Sequence, residues 1–343
     1  MPVKPARKKS GWKDVQSKNK KARKVKLALG VLALVVGFLV VSWAIRFTQN
    51  LFSPWKLQTN QERSYIWNGE FNINLLIRSD HTSILTYNPK EGKVVIINIP
   101  DETFLNVPFG FGLWQLRAIY ELGESQKGLG GGKLLMETLT NFLAVPIDGF
   151  LDLSSLQPRQ SAAGVINTLR NNPFSGLNLL SSLKTDLTLW ELIKLKLGIG
   201  AVRFDKIKEL NLLELNVLDK ENLPDGTLVF TADSVKLDSV LSDLADPTIM
   251  AEHKNIAVLN TTDRTQLAQK AARLITNLGG NVIIMANATQ ELKKTKVYGL
   301  ESATLRRLKQ IFTSGDKINY PVDDTASSRA QVNLLVGEDY VNK

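Results

Sequence analysis

Leu27 to Ile45, LALGVLALVVGFLVVSWAI, carries no charge from end to end. As a helix rising about 1.5 Å per residue it would reach roughly 28 Å, close to the hydrocarbon thickness of a bilayer. The pattern therefore predicts a single N-terminal transmembrane helix over 27–46. Trp43, Phe47, Phe52 and Trp55 would form an aromatic belt at its outer end. Ser42 and Ala44 stand at the spacing of a signal-peptide cleavage site, which keeps removal of the segment open. From 47 to 70 the chain is polar, carries Pro54 and shows no period, as a linker does.

Beyond the linker the periods of strands and helices alternate. FNINLLI (71–77), SILTY (83–87) and KVVIINI (93–99) are predicted strands, with Asn88, Pro89 and Gly92 turning a hairpin between the last two. Leu113 to Leu122 and Lys133 to Leu143 place apolar residues at helical spacing. PIDGFLDL (146–153) reads as a buried strand, and residues 159–170, 177–183 and 187–197 as helices, the last capped by Thr185 or Asp186. Strands over 210–218 and 227–231 and a helix over 234–244 close a domain that ends at Asp246 and Pro247.

A smaller unit begins near His253. It runs strand (256–259), helix (267–278, stopped by Gly279 and Gly280), strands (282–285 and 296–298), helix (305–312) and strand (332–336). A long loop over 313–330 precedes the last strand. The expected class is α/β throughout: a mixed-sheet domain over 71–247, then a small α/β domain over 253–341.

Charge changes the picture of the N-terminus. Of 43 basic residues, eleven precede Leu27, and of 33 acidic residues only Asp14 does; thirty-two of each sign remain beyond Lys26. Residues 1–26 are thus a basic tail, which the positive-inside rule keeps in the cytoplasm, leaving everything after the span extracytoplasmic. A neutral exported part has no electrostatic footprint for nucleic acid, and none is expected as a partner. Cysteine is absent, so disulfides and thiol chemistry are excluded. The two histidines, His81 and His253, have no partners at ligand spacing for a transition metal.

Two stretches invite a phosphate. Gly128-Leu129-Gly130-Gly131-Gly132-Lys133 lacks the Ser or Thr and the preceding strand of a phosphate loop, and reads as a flexible lead into the next helix whose N–H groups could still meet an anion. Arg78-Ser79-Asp80 sits at the junction of two strands. A guanidinium there can grip phosphate and a carboxylate can hold Mg²⁺, although the same pair is also an ordinary surface ion pair.

In their order, NINLLI, RSDHTSILTYNPKEGKVVIINIPDETFLNVP, RAIYELGE, METLTNFLAVPIDGFLDL and the stretch from Arg159-Gln160 to LSSLKTDLTLWELIKLKLG resemble the LytR-CpsA-Psr (LCP) family of exported cell-wall proteins. IAVLN, GGNVIIMANA, TKVYG and NLLVGEDY are similar to the LytR C-terminal domain that often follows it. The resemblance implies transfer of a glycopolymer phosphate from a polyprenyl pyrophosphate carrier to peptidoglycan or another acceptor, with Mg²⁺ on the pyrophosphate. It implies ligand roles for Arg78 and Arg159 and a metal role for Asp80.

Against that pattern, Ile77 runs straight into Arg78 where a G-x-D-x-R segment is expected. Pro100-Asp101-Glu102-Thr103 replaces P-R-D-T, and the stretch from Leu153 to Arg159 is too short for the usual L-G-G-V segment. An acid beside a pyrophosphate subtracts attraction and adds repulsion. Three readings stay open: a non-catalytic envelope protein binding polymers or partners, a divergent Mg²⁺-dependent phosphotransferase, and a scaffold with no small-molecule site.

Overall fold

The structure, a computed structural model, describes residues 36–46, 63, 65–155, 160–171, 183–224, 226–313 and 329–340. The chain divides into two compact units, Met1–Ser53 and Pro54–Lys343. In the first, residues 36–46 are helical. No helix among the described residues is long and apolar enough to cross a membrane, and residues 27–35 of the expected span, with the basic tail, lie outside them.

In the second unit the elements run β1 (Ile73–Arg78), β2 (Thr82–Asn88), β3 (Lys93–Ile99), β4 (Phe104–Val107), β5 (Gly112–Gln115), α1 (Leu116–Ser125), α2 (Gly131–Leu143), β6 (Gly149–Asp152), α3 (Ala162–Asn171), β7 (Lys184–Thr185), α4 (Leu189–Gly200), β8 (Ile207–Asn211), β9 (Leu218–Asn222), β10 (Leu228–Ala232), α5 (Ser234–Val240) and α6 (Pro247–Glu252). They continue with β11 (Asn255–Asn260), α7 (Leu267–Asn277), β12 (Asn281–Asn287), β13 (Lys296–Gly299), α8 (Ala303–Phe312) and β14 (Val332–Val336).

A six-stranded mixed sheet, ordered β7-β6-β1-β2-β3-β8, is the centre of this unit. Strand β1 pairs antiparallel with β2 and parallel with β6. Alternation sends Ile73, Leu75 and Ile77 of β1, with Val94 and Ile96 of β3, to one face, where Trp67, α3 and α4 cover them. Leu76, with Val95, Ile97 and Ile99, faces the other way against α1, α2 and α5. Coverage on both faces explains why these strands read as almost continuous apolar runs. It also decides the side on which Arg78 emerges, because Arg78 shares parity with Leu76 and so faces α1.

Glycine lets α1 and α2 approach closely. A Cβ on Gly123 would stand 2.7 Å from the Gly131 Cα and 2.8 Å from the Gly130 carbonyl. A second sheet, β12-β11-β14-β13, carries its own core with α7 and α8. Its central strands β11 and β14 are parallel, and β13 runs antiparallel to β14.

Several expectations need correction. Leu113 lies not in a helix but in β5, which forms a hairpin with β4, and α1 starts at Leu116; apolar residues three apart fit a strand–helix junction as well as a helix. The strand expected over 210–218 splits into β8 and β9, which enter different sheets, because the chain turns at Leu212 to Asn216, the last at φ 54°. The cap of α4 is Thr188, in a capping box with Glu191, while Thr185 is in β7. The helix expected over 234–244 runs as α5 and a 3-10 turn that stops at Leu244, and Asp246 and Pro247 then begin α6, with Asp246 as its cap. The helix expected over 177–183 and nearly all of the 313–330 loop fall outside the described residues.

Within the stretch expected as linker, Trp67 is buried and its indole N–H donates to the Phe71 carbonyl at 2.9 Å. Arg63 donates to Glu191 Oε1 and Oε2, both at 2.9 Å. Tyr65 packs against the same core.

Candidate functional site

Parallel pairing of β1 with β6 sets Arg78 and Asp152 side by side at the carboxyl ends of two adjacent strands, the place where α/β sheets collect ligand groups. The Arg78 guanidinium reaches Asp152 Oδ2 at 3.2 Å and Oδ1 at 3.3 Å, Ser154 Oγ at 2.9 Å and Glu121 Oε1 at 3.3 Å. Its carbon also lies 4.0 Å from the centroid of the Tyr120 ring. Asp152 is almost wholly buried, whereas Glu121 is exposed. Burial raises the Tyr120 hydroxyl well above its ordinary range, with Asp152 adding to the shift, so it stays protonated.

The positive charge of Arg78 is therefore already met by two carboxylates, a hydroxyl and a ring face. An anionic ligand would have to compete with Asp152. Asp80 turns elsewhere: its Oδ1 accepts from Ser79 Oγ at 3.1 Å and from the His81 backbone N–H at 2.8 Å, closing its own turn. Among the described residues no group of three His, Asp or Glu side chains could hold a metal ion. Asp80 does not fit a protein-built Mg²⁺ cage. Arg159 lies outside the described residues.

Asp101 stands close to the same corner. Its Oδ2 is 3.5 Å from His81 Nδ1, and its carbonyl accepts the Arg117 backbone N–H at 3.2 Å. Arg117 is exposed on α1, one turn before Tyr120 and Glu121, and brings a cation to the side of the sheet that Arg78 faces. Neither Asp152 nor Arg117 was legible as part of the site in the sequence; the only signal was a carboxylate closing the PIDGFLDL run. The glycine-rich stretch offers less than its composition suggests. Gly130, at φ 79°, precedes α2, and the Gly131 N–H is already taken by Glu124 Oε1 at 2.7 Å.

A second ionic cluster lies at the other end of β1. Arg307 of α8 is fully buried; its Nη2 meets Asp148 Oδ1 and Oδ2, both at 3.0 Å, and its Nη1 donates to the Tyr65 hydroxyl at 2.7 Å. The Tyr65 hydroxyl also donates to Asp148. Burial opposes the charge on Arg307, but Asp148 and Tyr65 together outweigh it and hold the guanidinium protonated. Asp148 also accepts the Asn74 backbone N–H at 2.9 Å. This cluster joins the two sheets' cores, with Arg307 and Asp148 buried and Tyr65 partly so.

Residues 254–340 match the profile of the LytR_C family, described as LytR cell envelope-related transcriptional attenuator. The C-terminal module is a LytR C-terminal domain. The chain is also 27% identical over 100 residues to a polyisoprenyl-teichoic acid–peptidoglycan teichoic acid transferase, TagU, of Enterococcus faecalis (strain ATCC 700802 / V583). That match spans 29% of this chain and only 31% of the relative's length. The two matches agree with the LCP and LytR C-terminal resemblance of the sequence.

Solved structures that are similar include TagT of B. subtilis (17% identity, 55% of this chain and 97% of that one, TM-score 0.37). Another is TagV of B. subtilis (15%, 51% and 95%, TM-score 0.39). A third is the LytR-CPS2A-psr family protein YwtF (TagT) with bound octaprenyl pyrophosphate lipid (18%, 56% and 97%, TM-score 0.37). At these scores the likeness decides nothing about the chemistry of this chain.

Proposed function

We propose that this protein is anchored in the cell membrane by residues 27–46, with its N-terminus in the cytoplasm and both α/β domains outside. There it binds envelope polymers or their polyprenyl-linked precursors without turning them over. The relative's activity, transfer of teichoic acid to peptidoglycan, supports the class of ligand. Internal neutralisation of Arg78 by Asp152 and Glu121 is the observation that carries the non-catalytic reading. Phosphoryl transfer depends on free positive charge placed where charge develops. Here Asp152 occupies that charge, and Asp101 adds a negative group near the same corner.

The runner-up is a divergent phosphotransferase that recruits Mg²⁺ with the substrate. It is favoured by the identity to a transferase and by Arg117 on the same side of the sheet. One experiment separates the two. The full chain in vesicles is incubated with a polyprenyl pyrophosphate and Mg²⁺, and both binding and phosphate release are measured beside Arg78→Ala. We expect binding without release. Release that disappears in Arg78→Ala overturns the non-catalytic reading, and absence of binding leaves the scaffold.

A further inference from the structure

Helix α4, LWELIKLKLGIG, is apolar on more than one side. Leu195 and Ile199 point into the core beneath the central sheet, and Glu191 is buried at its first turn. Outward, at i, i+3 and i+7, stand Trp190, Ile193 and Leu197, the last 70% exposed. Phe204, just past the helix, is 66% exposed and lies under the Arg170 guanidinium, whose carbon is 3.8 Å from the ring centroid. A row of four large apolar side chains facing solvent marks an interaction surface.

Its rim is basic. Lys194 lies 5.1 Å from the Trp190 ring centroid, Arg170 lies over Phe204, and Lys196, Arg203 and Lys206 are close by in the chain. The only exposed acid in this stretch is Asp205, which is paired with Arg203 at 3.1 Å. Cations around a Trp- and Phe-bearing apolar strip complement an anionic, apolar boundary, as at a membrane surface rich in acidic lipid.

The route of the chain points the same way. Arg63, the first described residue after the 36–46 helix, is held by Glu191 in the first turn of α4, and the Asn68 carbonyl accepts from Lys194 Nζ at 2.8 Å. Residues 47–62 separate it from the end of the expected span and reach at most about 55 Å when fully extended. The described chain thus enters the second unit beside α4.

We infer that the outward face of α4, with Phe204, docks on the surface of an anionic lipid bilayer and orients the domain on the membrane; the inference rests on the membrane-anchor reading above. The chain has no cysteine, so a single nitroxide can be placed at will. Leu197→Cys and, as an exposed control on β9, Lys220→Cys would be labelled in the full chain. Each would be reconstituted in vesicles of phosphatidylglycerol with phosphatidylcholine, in phosphatidylcholine alone, and in detergent.

In the anionic vesicles the label at 197 is expected to lose severalfold in collisions with a water-soluble nickel chelate while remaining open to oxygen. The label at 220 should not change, and protection at 197 should weaken in phosphatidylcholine alone. A label at 197 as open to nickel as the one at 220 in anionic vesicles would overturn the docking. So would equal protection in all three media, which points to a protein contact. An alkaline carbonate wash tests the anchor separately: a chain that washes off refutes the anchor and the docking with it, whereas a retained chain with a solvated 197 refutes the docking alone.

Discussion

Replacing Arg307 with methionine should loosen the joint between the LytR C-terminal domain and the central sheet. Methionine keeps an apolar side chain of similar length, so packing changes little, but Asp148 loses two charge-assisted hydrogen bonds of 3.0 Å. Breaking a buried pair from one side costs about 3–5 kcal/mol, because the remaining charge stays buried. Here the Asn74 N–H and the Tyr65 hydroxyl still serve Asp148, so we expect the lower end, about 3 kcal/mol. That is a large share of a domain's ~5–15 kcal/mol. The Arg307→Met/Asp148→Asn double variant should recover a substantial part of the loss. The check is urea unfolding of residues 54–343 followed by tryptophan fluorescence and far-ultraviolet circular dichroism, where Arg307→Met should also separate the two signals. A loss below about 1 kcal/mol, or a double variant no more stable than the sum of the singles, would refute an ionic joint.

Further outcomes follow from other contacts. Asp152→Asn releases Arg78 and removes a negative charge near the proposed anion site; at ~7 Å and an effective dielectric of about 20 that charge is worth roughly 2 kcal/mol. Pyrophosphate binding by isothermal calorimetry should therefore tighten at least tenfold, and weaker binding would refute competition by Asp152. Gly123→Ala should cost about 1–3 kcal/mol in chemical denaturation, since its Cβ meets the backbone of Gly130 and Gly131 rather than a side chain that can move. Burial pushes the Asp186 carboxyl up to about 6, against the pull of Arg63. The native state then binds more protons than the unfolded state between about pH 4 and 6, so this group's contribution lowers stability as pH rises through that window and is flat above it. Asp186→Asn should flatten that part of the stability–pH profile, and an unchanged profile would show that another group is responsible.

Within the second unit, the sequence by itself was enough for elements whose period is long or whose ends are chemically marked. β1 to β3 were legible because both faces are covered and the residues are apolar in succession, and α7 because Gly279, at φ 97°, ends it. Even β14 was legible as Val332–Val336. Short elements were not: β5, β8 and β9 lie where a two- or three-residue apolar spacing fits more than one period, and only pairing partners select among them. For the candidate site, the Arg78-Ser79-Asp80 motif at a strand junction, with the family resemblance, singled out Arg78 and Asp80, but their environment depends on strand register. Parallel pairing of β1 with β6 puts Asp152 against Arg78, and crossing of the chain by α8 puts Arg307 against Asp148. Both partners lie more than seventy residues away in the chain. Sequence thus determined which charges are present and where the long, strongly periodic elements lie. Whether a charge is free to meet a ligand or is spent inside the protein was decided by tertiary structure, because a carboxylate at 3 Å in a low-dielectric surrounding outweighs any local preference.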